Sequence, residues 1–363
     1  MDRAGLRYVY GVPDSLLAGL IARIEISWPS DRHMVVPNEG TAVGMAMGSY
    51  LGTGVPAAVY LQNSGLGNAV NPLVSLADRQ VYSVPMVLII GWRGEVSPEG
   101  VAIPDEPQHR RQGEITPALL NILGIPFEVL DADSDPALAV DRCMTASVAS
   151  GAPTAMLVRN GTFDRPPPRS VSAKNMSREQ AIAAILGIVG AMPIVATTGM
   201  ASREVFEVRQ KAGSGVTDFL TVGGMGHALA IAVGLARSRP EQRIVCIDGD
   251  GAALMHMGVM AAAARTPNLL HVVINNGSHD SVGGQPTLAA QMPLRPVAAA
   301  MGYGETAQVS TPEALRTVLR QVGGGSVFVE AMCRPGSRPD LGRPTLTPRQ
   351  TRSQFMADLD GSE

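Results

Sequence analysis

Arg243-Ile-Val-Cys-Ile-Asp-Gly-Asp-Gly251 and, one helix-length further on, His271-Val-Val-Ile-Asn-Asn276 decide the fold. Each is a β-branched run of strand length that ends in small polar residues. Strands that are apolar on both faces and separated by helical stretches belong to parallel sheets, whose ligand residues gather at the carboxyl ends of the strands. Gly-Asp-Gly at such an end sets Asp250 where a ligand is reached, and Gly249 and Gly251 let the backbone come close to it. Residues 251–254 then open a helix whose free N–H groups suit phosphate. Asn276 follows Asp250 by about the length of one helix-then-strand excursion, so the two meet at one sheet edge. A carboxylate, an amide oxygen and a nearby backbone carbonyl are hard ligands, the kind that octahedral Mg²⁺ takes together with phosphate oxygens. A surface turn explains either element alone; it does not explain the pair at this spacing.

The same alternation extends outward in both directions. Strands are expected at 7–12, 34–37, 57–61, 86–91, 127–130 and 154–158, with helices at 14–26, 40–52, 67–78, 115–123 and 136–149. In the second half, strands at 194–197, 219–221, 243–248, 271–275 and 327–331 alternate with helices at 177–190, 227–238, 255–264 and 312–322. Two three-layer α/β/α domains with mainly parallel sheets follow. Between them stands Phe163-Asp-Arg-Pro-Pro-Pro-Arg-Ser-Val-Ser-Ala-Lys-Asn175, whose three prolines fit neither a helix nor a central strand. The expected division is 1–163, a linker at 164–176, 177–333, and an Arg/Pro-rich arm at 334–363, either frayed or laid over the surface.

Composition narrows the function classes. Lys and Arg number 29 against 32 Asp and Glu, so no basic field exists to draw nucleic acid, and 4% aromatics leave little for base stacking. Three dispersed cysteines without a CxxC read as reduced thiols. The first residues lack an apolar leader, and the longest greasy run, 84–91, is far shorter than the roughly 20 residues of a spanning helix. A soluble cytoplasmic protein without membrane contact is expected.

The Gly-Asp-Gly and Asn-Asn pair resembles the diphosphate–magnesium motif of thiamine-diphosphate-dependent enzymes. That resemblance implies that Asp250, Asn276 and the Ser278 carbonyl hold Mg²⁺, while Gly249 and the Gly251 and Ala252 amides face the cofactor's diphosphate. In Val35-Val-Pro-Asn-Glu-Gly40, Glu39 stands at a strand-to-helix junction where the helix dipole favours a carboxylate. Within the resemblance it is the activating glutamate, which hydrogen-bonds the aminopyrimidine N1′ and promotes the tautomer that removes the thiazolium C2 proton. Thr221-Val-Gly-Gly-Met-Gly-His-Ala228 lacks the dinucleotide G-x-G-x-x-G spacing. By the resemblance, Met225 is the prop under the bent cofactor, flanked by Gly224, Gly226 and His227; the residue alone reads as a core methionine, and its flanking glycines shift the reading toward the prop. The family carries serine where this chain has Gly224.

Finer wording points to a subfamily. Tyr10-Gly-Val-Pro-Asp-Ser-Leu-Leu17, Gln62-Asn-Ser-Gly-Leu-Gly-Asn68, Asp105-Glu-Pro-Gln-His109 and the run from Asn275 to Thr287 resemble phosphonopyruvate decarboxylases, with sulfopyruvate decarboxylases closely similar. The likeness runs from Tyr10 to Leu341-Gly-Arg-Pro344 and leaves no room for the central third domain of larger members. It implies decarboxylation of a 2-keto acid, 3-phosphonopyruvate, to phosphonoacetaldehyde. Asp14, His109, His227, His279 and Asp280 are the expected proton carriers, although helix capping alone explains Asp14. Ser15, the amides of Asn63, Ser64 and Gly65, and Arg338 or Arg343 are the expected phosphonate donors, while Arg110 and Arg111 read as solvated. The family's cofactors lie between the first half of one subunit and the second half of another, which implies a homodimer or tetramer. Alternatives are a sulfopyruvate decarboxylase, another 2-keto acid decarboxylase or carboligase, and an inactive cofactor-binding regulatory subunit.

Overall fold

A computed structural model describes residues 5–97, 100–167 and 176–361. Most of the expected linker, and the last two residues of the arm, lie outside the described residues. The chain divides into two compact units, Met1–Pro168 and Arg169–Glu363.

The first unit is built on six strands: β1 (Val9–Gly11), β2 (His33–Val35), β3 (Ala57–Gln62), β4 (Met86–Gly91), β5 (Phe127–Leu130) and β6 (Thr154–Val158). All pair in parallel, in the order β2-β1-β3-β4-β6-β5. The second unit holds β7 (Ile194–Ala196), β8 (Phe219–Leu220), β9 (Ile244–Gly249), β10 (Leu269–Asn275), β11 (Glu305–Val309) and β12 (Val327–Met332), again all parallel. Counted from β7 its order is second, first, third, fourth, sixth, fifth, the same as in the first unit. The two units thus repeat one topology. In each, the chain reverses its direction of travel across the sheet between the first and third strands, and open α/β sheets bind ligands at the carboxyl ends beside that reversal.

Central strands are buried at every residue in β4 and β10, which is why they read as unbroken apolar runs. Fully buried Ile185, Val205, Val245, Val272, Leu315 and Val329 pack one face of the second sheet; Ala232, Ile244, Leu269, Val273 and Phe328 pack the other. At about 1.5–3 kcal/mol per fully buried aliphatic side chain, these layers fix the register. That register sets Ile274 beside Gly249, so Asp250 and Asn275-Asn276 leave adjacent strands side by side.

Several elements differ from the sequence expectation. The helix expected at 115–123 spans Pro107–Ile122, because Pro107 at the first turn starts it across a polar stretch with no apolar period. The helices Met200–Lys211 and Leu294–Met301 and the edge strand β11 were not expected; β11 buries only Val309, so its sequence reads as polar. The arm is laid down rather than frayed. Thr347 and Gln350 form a capping box for the helix Pro348–Asp360, and Phe355 seats its ring 5.6 Å from that of Phe219 on β8. No helix among the described residues is long and apolar enough to cross a membrane.

Candidate active site

In the second unit, Asp250 opens the short helix Asp250–Met255 directly beyond β9 and is 3% exposed. The Thr287 hydroxyl donates to its Oδ2, but burial outweighs that bond and pushes the carboxyl up to about 6. A carboxylate enclosed in this way favours a cation beside it. Asn276, at the end of the neighbouring strand, has its amide fixed at both ends. Its Oδ1 accepts from the Ser278 amide (3.1 Å) and its Nδ2 donates to Asp280 Oδ2 (2.7 Å). The chain then folds back on itself, with the His279 amide donating to Gln285 O and the Thr287 amide to Gly277 O.

Other polar atoms at this edge lack a protein partner. Thr197 Oγ1, in the turn after β7, and both side-chain polar atoms of the fully buried Gln285 are buried with no hydrogen bond among the described residues. Buried groups left unpaired cost about 1–3 kcal/mol each, so an edge with several of them suits a polar ligand. The donor set of Asp250 and Asn276, two oxygens on adjacent strand ends, is the hard-ligand chemistry of Mg²⁺. Glycine is required where the chain closes in: a Cβ on Gly251 would stand 2.9 Å from His279 Cε1, and one on Gly226 2.7 Å from His256 Cδ2.

Met225 is partly exposed between Gly224 (φ +66°) and Gly226 (φ +84°) and belongs to neither core cluster of its unit. His227 is exposed, with its ring 4.5 Å from that of His256. His279 is pushed down to about 4 by burial against the pull of Asp280, so its imidazole is neutral through the physiological range. Asp280, an expected proton carrier, is heavily bonded: its Oδ2 accepts from Arg178 Nη1 (2.9 Å), Asn276 Nδ2 (2.7 Å) and the Gly336 amide (2.9 Å).

The first unit's carboxyl edge gathers Asp14 after β1, Glu39 after β2, Asn63-Ser64-Gly65 after β3 and Arg93 after β4. Glu39 begins the helix Glu39–Thr53, capped by the Asn38 side chain, and is 5% exposed. Asn68 Nδ2 donates to its Oε2 at 2.8 Å, and burial raises its carboxyl above the ordinary range. Its other oxygen lies so near Gly65 that a Cβ there would be 2.2 Å from Oε1. At the far end of the same three-residue turn, the Asn63 side chain accepts from the Arg93 amide (3.2 Å) and donates to the Arg93 carbonyl (2.9 Å) and Thr116 (3.0 Å). Its side chain is therefore committed to the scaffold, leaving the turn's amides as the donors of the sequence expectation. Arg93 grips Asp105 through Nε (2.9 Å) and Nη2 (2.6 Å) and reaches Ser15 Oγ at 3.3 Å.

Asp14 is fully buried. Its Oδ1 accepts from the amides of Leu16 (2.9 Å) and Leu17 (3.3 Å), while Oδ2 has no hydrogen-bond partner among the described residues. Burial pushes it up to about 6 against the lowering pull of those amides, and the helix that follows starts only at Ala18. His109 lies in the first turn of Pro107–Ile122, whose backbone presses on Gly94: a Cβ there would be 2.1 Å from His109 O. Arg110 and Arg111 are exposed, as expected. On the arm, Arg338 is taken up by Glu179, Glu207 and Asp340, and Arg343 is exposed.

Sequence reasoning missed Arg93, Asn68, Thr287 and the Arg178–Glu204 pair. An Asp-Gly or Asn-Asn spacing shows in sequence; a hydrogen bond between residues 29 or 37 positions apart, as in Glu39–Asn68 or Asp250–Thr287, does not.

Two family models match. One described as thiamine pyrophosphate enzyme, N-terminal TPP binding domain, covers residues 1–116; the other, thiamine pyrophosphate enzyme, C-terminal TPP binding domain, covers 195–331. A Streptomyces viridochromogenes protein named phosphonopyruvate decarboxylase is 35% identical, covering 97% of this chain and 91% of that one. A Streptomyces hygroscopicus protein of the same name is also 35% identical, over 97% of this chain and 90% of its own. A Methanosarcina acetivorans protein named sulfopyruvate decarboxylase is 26% identical, over 99% and 96%.

Proposed function

The chain belongs to the thiamine pyrophosphate enzyme family, and from that footing we propose that it decarboxylates 3-phosphonopyruvate to phosphonoacetaldehyde. The reaction breaks the bond to the carboxylate, releases CO₂ and takes up one proton in its place. The observation that carries the reading is the paired strand ends of Asp250 and Asn276, a divalent-cation corner whose chemistry fits the family's cofactor. Preference for the phosphonate over the sulfonate follows the relatives that span nearly the whole chain, the two Streptomyces proteins at 35% identity against 26% for the Methanosarcina acetivorans sulfopyruvate decarboxylase.

Bound thiamine pyrophosphate supplies the electron sink for the breaking bond. The protein's part is to hold and to move protons. Asp250, Asn276 and the Ser278 carbonyl would hold Mg²⁺; Gly249 and the Gly251 and Ala252 amides would meet the diphosphate; Met225, with Gly224, Gly226 and His227, would support the cofactor. Glu39, desolvated and fixed by Asn68, keeps a proton more readily than a solvated carboxyl and would exchange it with a ring nitrogen. Asp14, near 6 with one oxygen unpaired among the described residues, would supply the proton that replaces CO₂. His109 is retained as a second carrier, and neutral His279 as a hydrogen-bonding partner. Ser15, the amides of residues 63–65, and Arg343 remain the proposed phosphonate contacts, with Arg93 added as a fixed cation on that edge.

Residues 1–163 would then serve the pyrimidine and 177–333 the diphosphate. Relatives named as alpha and beta subunits of a sulfopyruvate decarboxylase accord with an enzyme that works as an assembly, here a homodimer or tetramer. Three free, buried cysteines accord with a cytoplasmic setting. An inactive regulatory subunit would be expected to have lost Glu39 or Asp250, and both are present.

The test is a coupled assay on 3-phosphonopyruvate, 3-sulfopyruvate and pyruvate, each with and without cofactor and Mg²⁺. Phosphonoacetaldehyde release at the highest kcat/KM, dependent on both additions, is expected. Faster turnover of sulfopyruvate, or acetolactate formation from pyruvate, would transfer the assignment to the corresponding alternative.

A further inference from the structure

Asp280 follows the Asn-Asn strand end by four residues, and its surroundings are those of an anchor. Three donors converge on its Oδ2: Arg178 Nη1 at 2.9 Å, the Gly336 amide at 2.9 Å and Asn276 Nδ2 at 2.7 Å. Arg178 is 5% exposed and is itself locked by a two-point pair with Glu204, Nε–Oε2 at 2.8 Å and Nη2–Oε1 at 3.1 Å. The helix Arg178–Val189, the turn after β10 and the arm, remote from one another in sequence, thus meet on one carboxylate oxygen, with Glu204 of the helix Met200–Lys211 bracing the arginine from behind. A buried Arg with two carboxylates is costly to desolvate and is weak evidence for stability alone. What it provides here is a fixed point next to Asn276.

We infer that Asp280 is a positioning residue for the metal corner: it holds the Asn276 side-chain amide by its NH₂ group, so that the amide oxygen stays turned toward the cation. An asparagine amide can rotate end for end, and only the hydrogen bonds to its two ends choose between orientations. Nδ2 on Asp280 and Oδ1 beside the Ser278 amide select one. Because Asp280 is tied to Arg178 and Gly336, the same bond links the corner to the start of the second unit and to its arm. The inference rests on Asn276 being a metal ligand, as proposed above. Partners of this kind, when removed, typically weaken metal affinity 10–100-fold.

The experiment measures thiamine diphosphate binding to the full-length protein by calorimetry across a series of free Mg²⁺ concentrations. Wild type, Asp280→Ala, Asn276→Ala and the double variant are compared. For Asp280→Ala, the Mg²⁺ concentration giving half-maximal cofactor binding should rise 10–100-fold, with binding and kcat restored at saturating Mg²⁺. The double variant should be no worse than Asn276→Ala, because Asp280 acts through that side chain. Should the alanine variant not fold, Asp280→Glu keeps the charge opposite Arg178 while displacing the oxygen by one methylene, and the same shift is expected. A lowered melting temperature with unchanged Mg²⁺ dependence would overturn the inference, as would a kcat that stays low at saturating Mg²⁺, the mark of a proton carrier. Wild-type binding indifferent to Mg²⁺ would remove the ligand reading itself; Mg²⁺-dependent wild type with an unshifted variant would remove only the role of Asp280.

Discussion

Gly65→Ala adds one methyl group at the place where the Glu39 carboxylate rests. The new Cβ would stand 2.2 Å from Oε1, 2.5 Å from Cδ and 2.6 Å from Cγ, where ordinary contact begins at 3.4 Å. The carboxylate must therefore move by about 1.2 Å, the difference between 3.4 and 2.2 Å. The backbone is not the obstacle, since Gly65 has φ −75° and ψ −13°, which alanine adopts freely. A shift of that size breaks the 2.8 Å bond from Asn68 and takes the carboxyl off its mark. Misplacement of a reacting group by about 1 Å costs on the order of 100-fold in rate, or about 2.7 kcal/mol of barrier. The expected result is a roughly 100-fold fall in kcat at saturating cofactor, with the melting temperature lowered by only a few degrees. Gly67→Ala, which meets no atom within 4 Å, is the matched control and should stay near wild type. A Gly65→Ala enzyme within threefold of wild type would refute the placement of Glu39 as an activating group.

Glu39→Gln keeps the shape and removes the exchangeable proton, so turnover should fall below a tenth of wild type in the same assay; a higher residual rate argues against its role. Asp14 is pushed from 3.8 up to about 6 by burial, so the native state binds a proton in that window that the unfolded chain has released. The fold therefore loses up to about 3 kcal/mol as pH rises from 4 through 6. Asp14→Asn should flatten that part of a calorimetric stability–pH curve, and an unchanged slope would contradict the burial reading. Asp250→Ala should abolish cofactor binding at millimolar Mg²⁺ while leaving the ligand-free protein as stable as wild type or more so, because it removes a buried carboxylate. A destabilised apo variant that still bound cofactor would exclude Asp250 as a ligand.

How much of this was legible in sequence depended on distance along the chain. The central strands announce themselves because burial on both faces leaves no polar positions, and the Gly-Asp-Gly and Asn-Asn ends mark where they stop. Edge elements do not: β11 fully buries only Val309, and the helix Pro348–Asp360 only Phe355 and Leu359. The repeated strand order of the two units is hidden as well, since topology can be conserved with no repeated residues. Candidate site residues stand out in sequence where type and spacing coincide, as with Glu39, which the structure places at a helix start. Residues whose surroundings depend on remote partners give no such signal. In sequence Asp280 reads as a proton carrier beside His279; the bond it receives from Arg178, 102 positions away, shows only in the structure.

The most direct test is calorimetric titration of thiamine diphosphate into chelator-stripped protein, once with Mg²⁺ and once without. Saturable binding only when the divalent ion is present is the outcome foreseen for a cofactor tethered by its diphosphate at the ends of β9 and β10. Equal affinity in the ion's absence, or no binding under either condition, would contradict it.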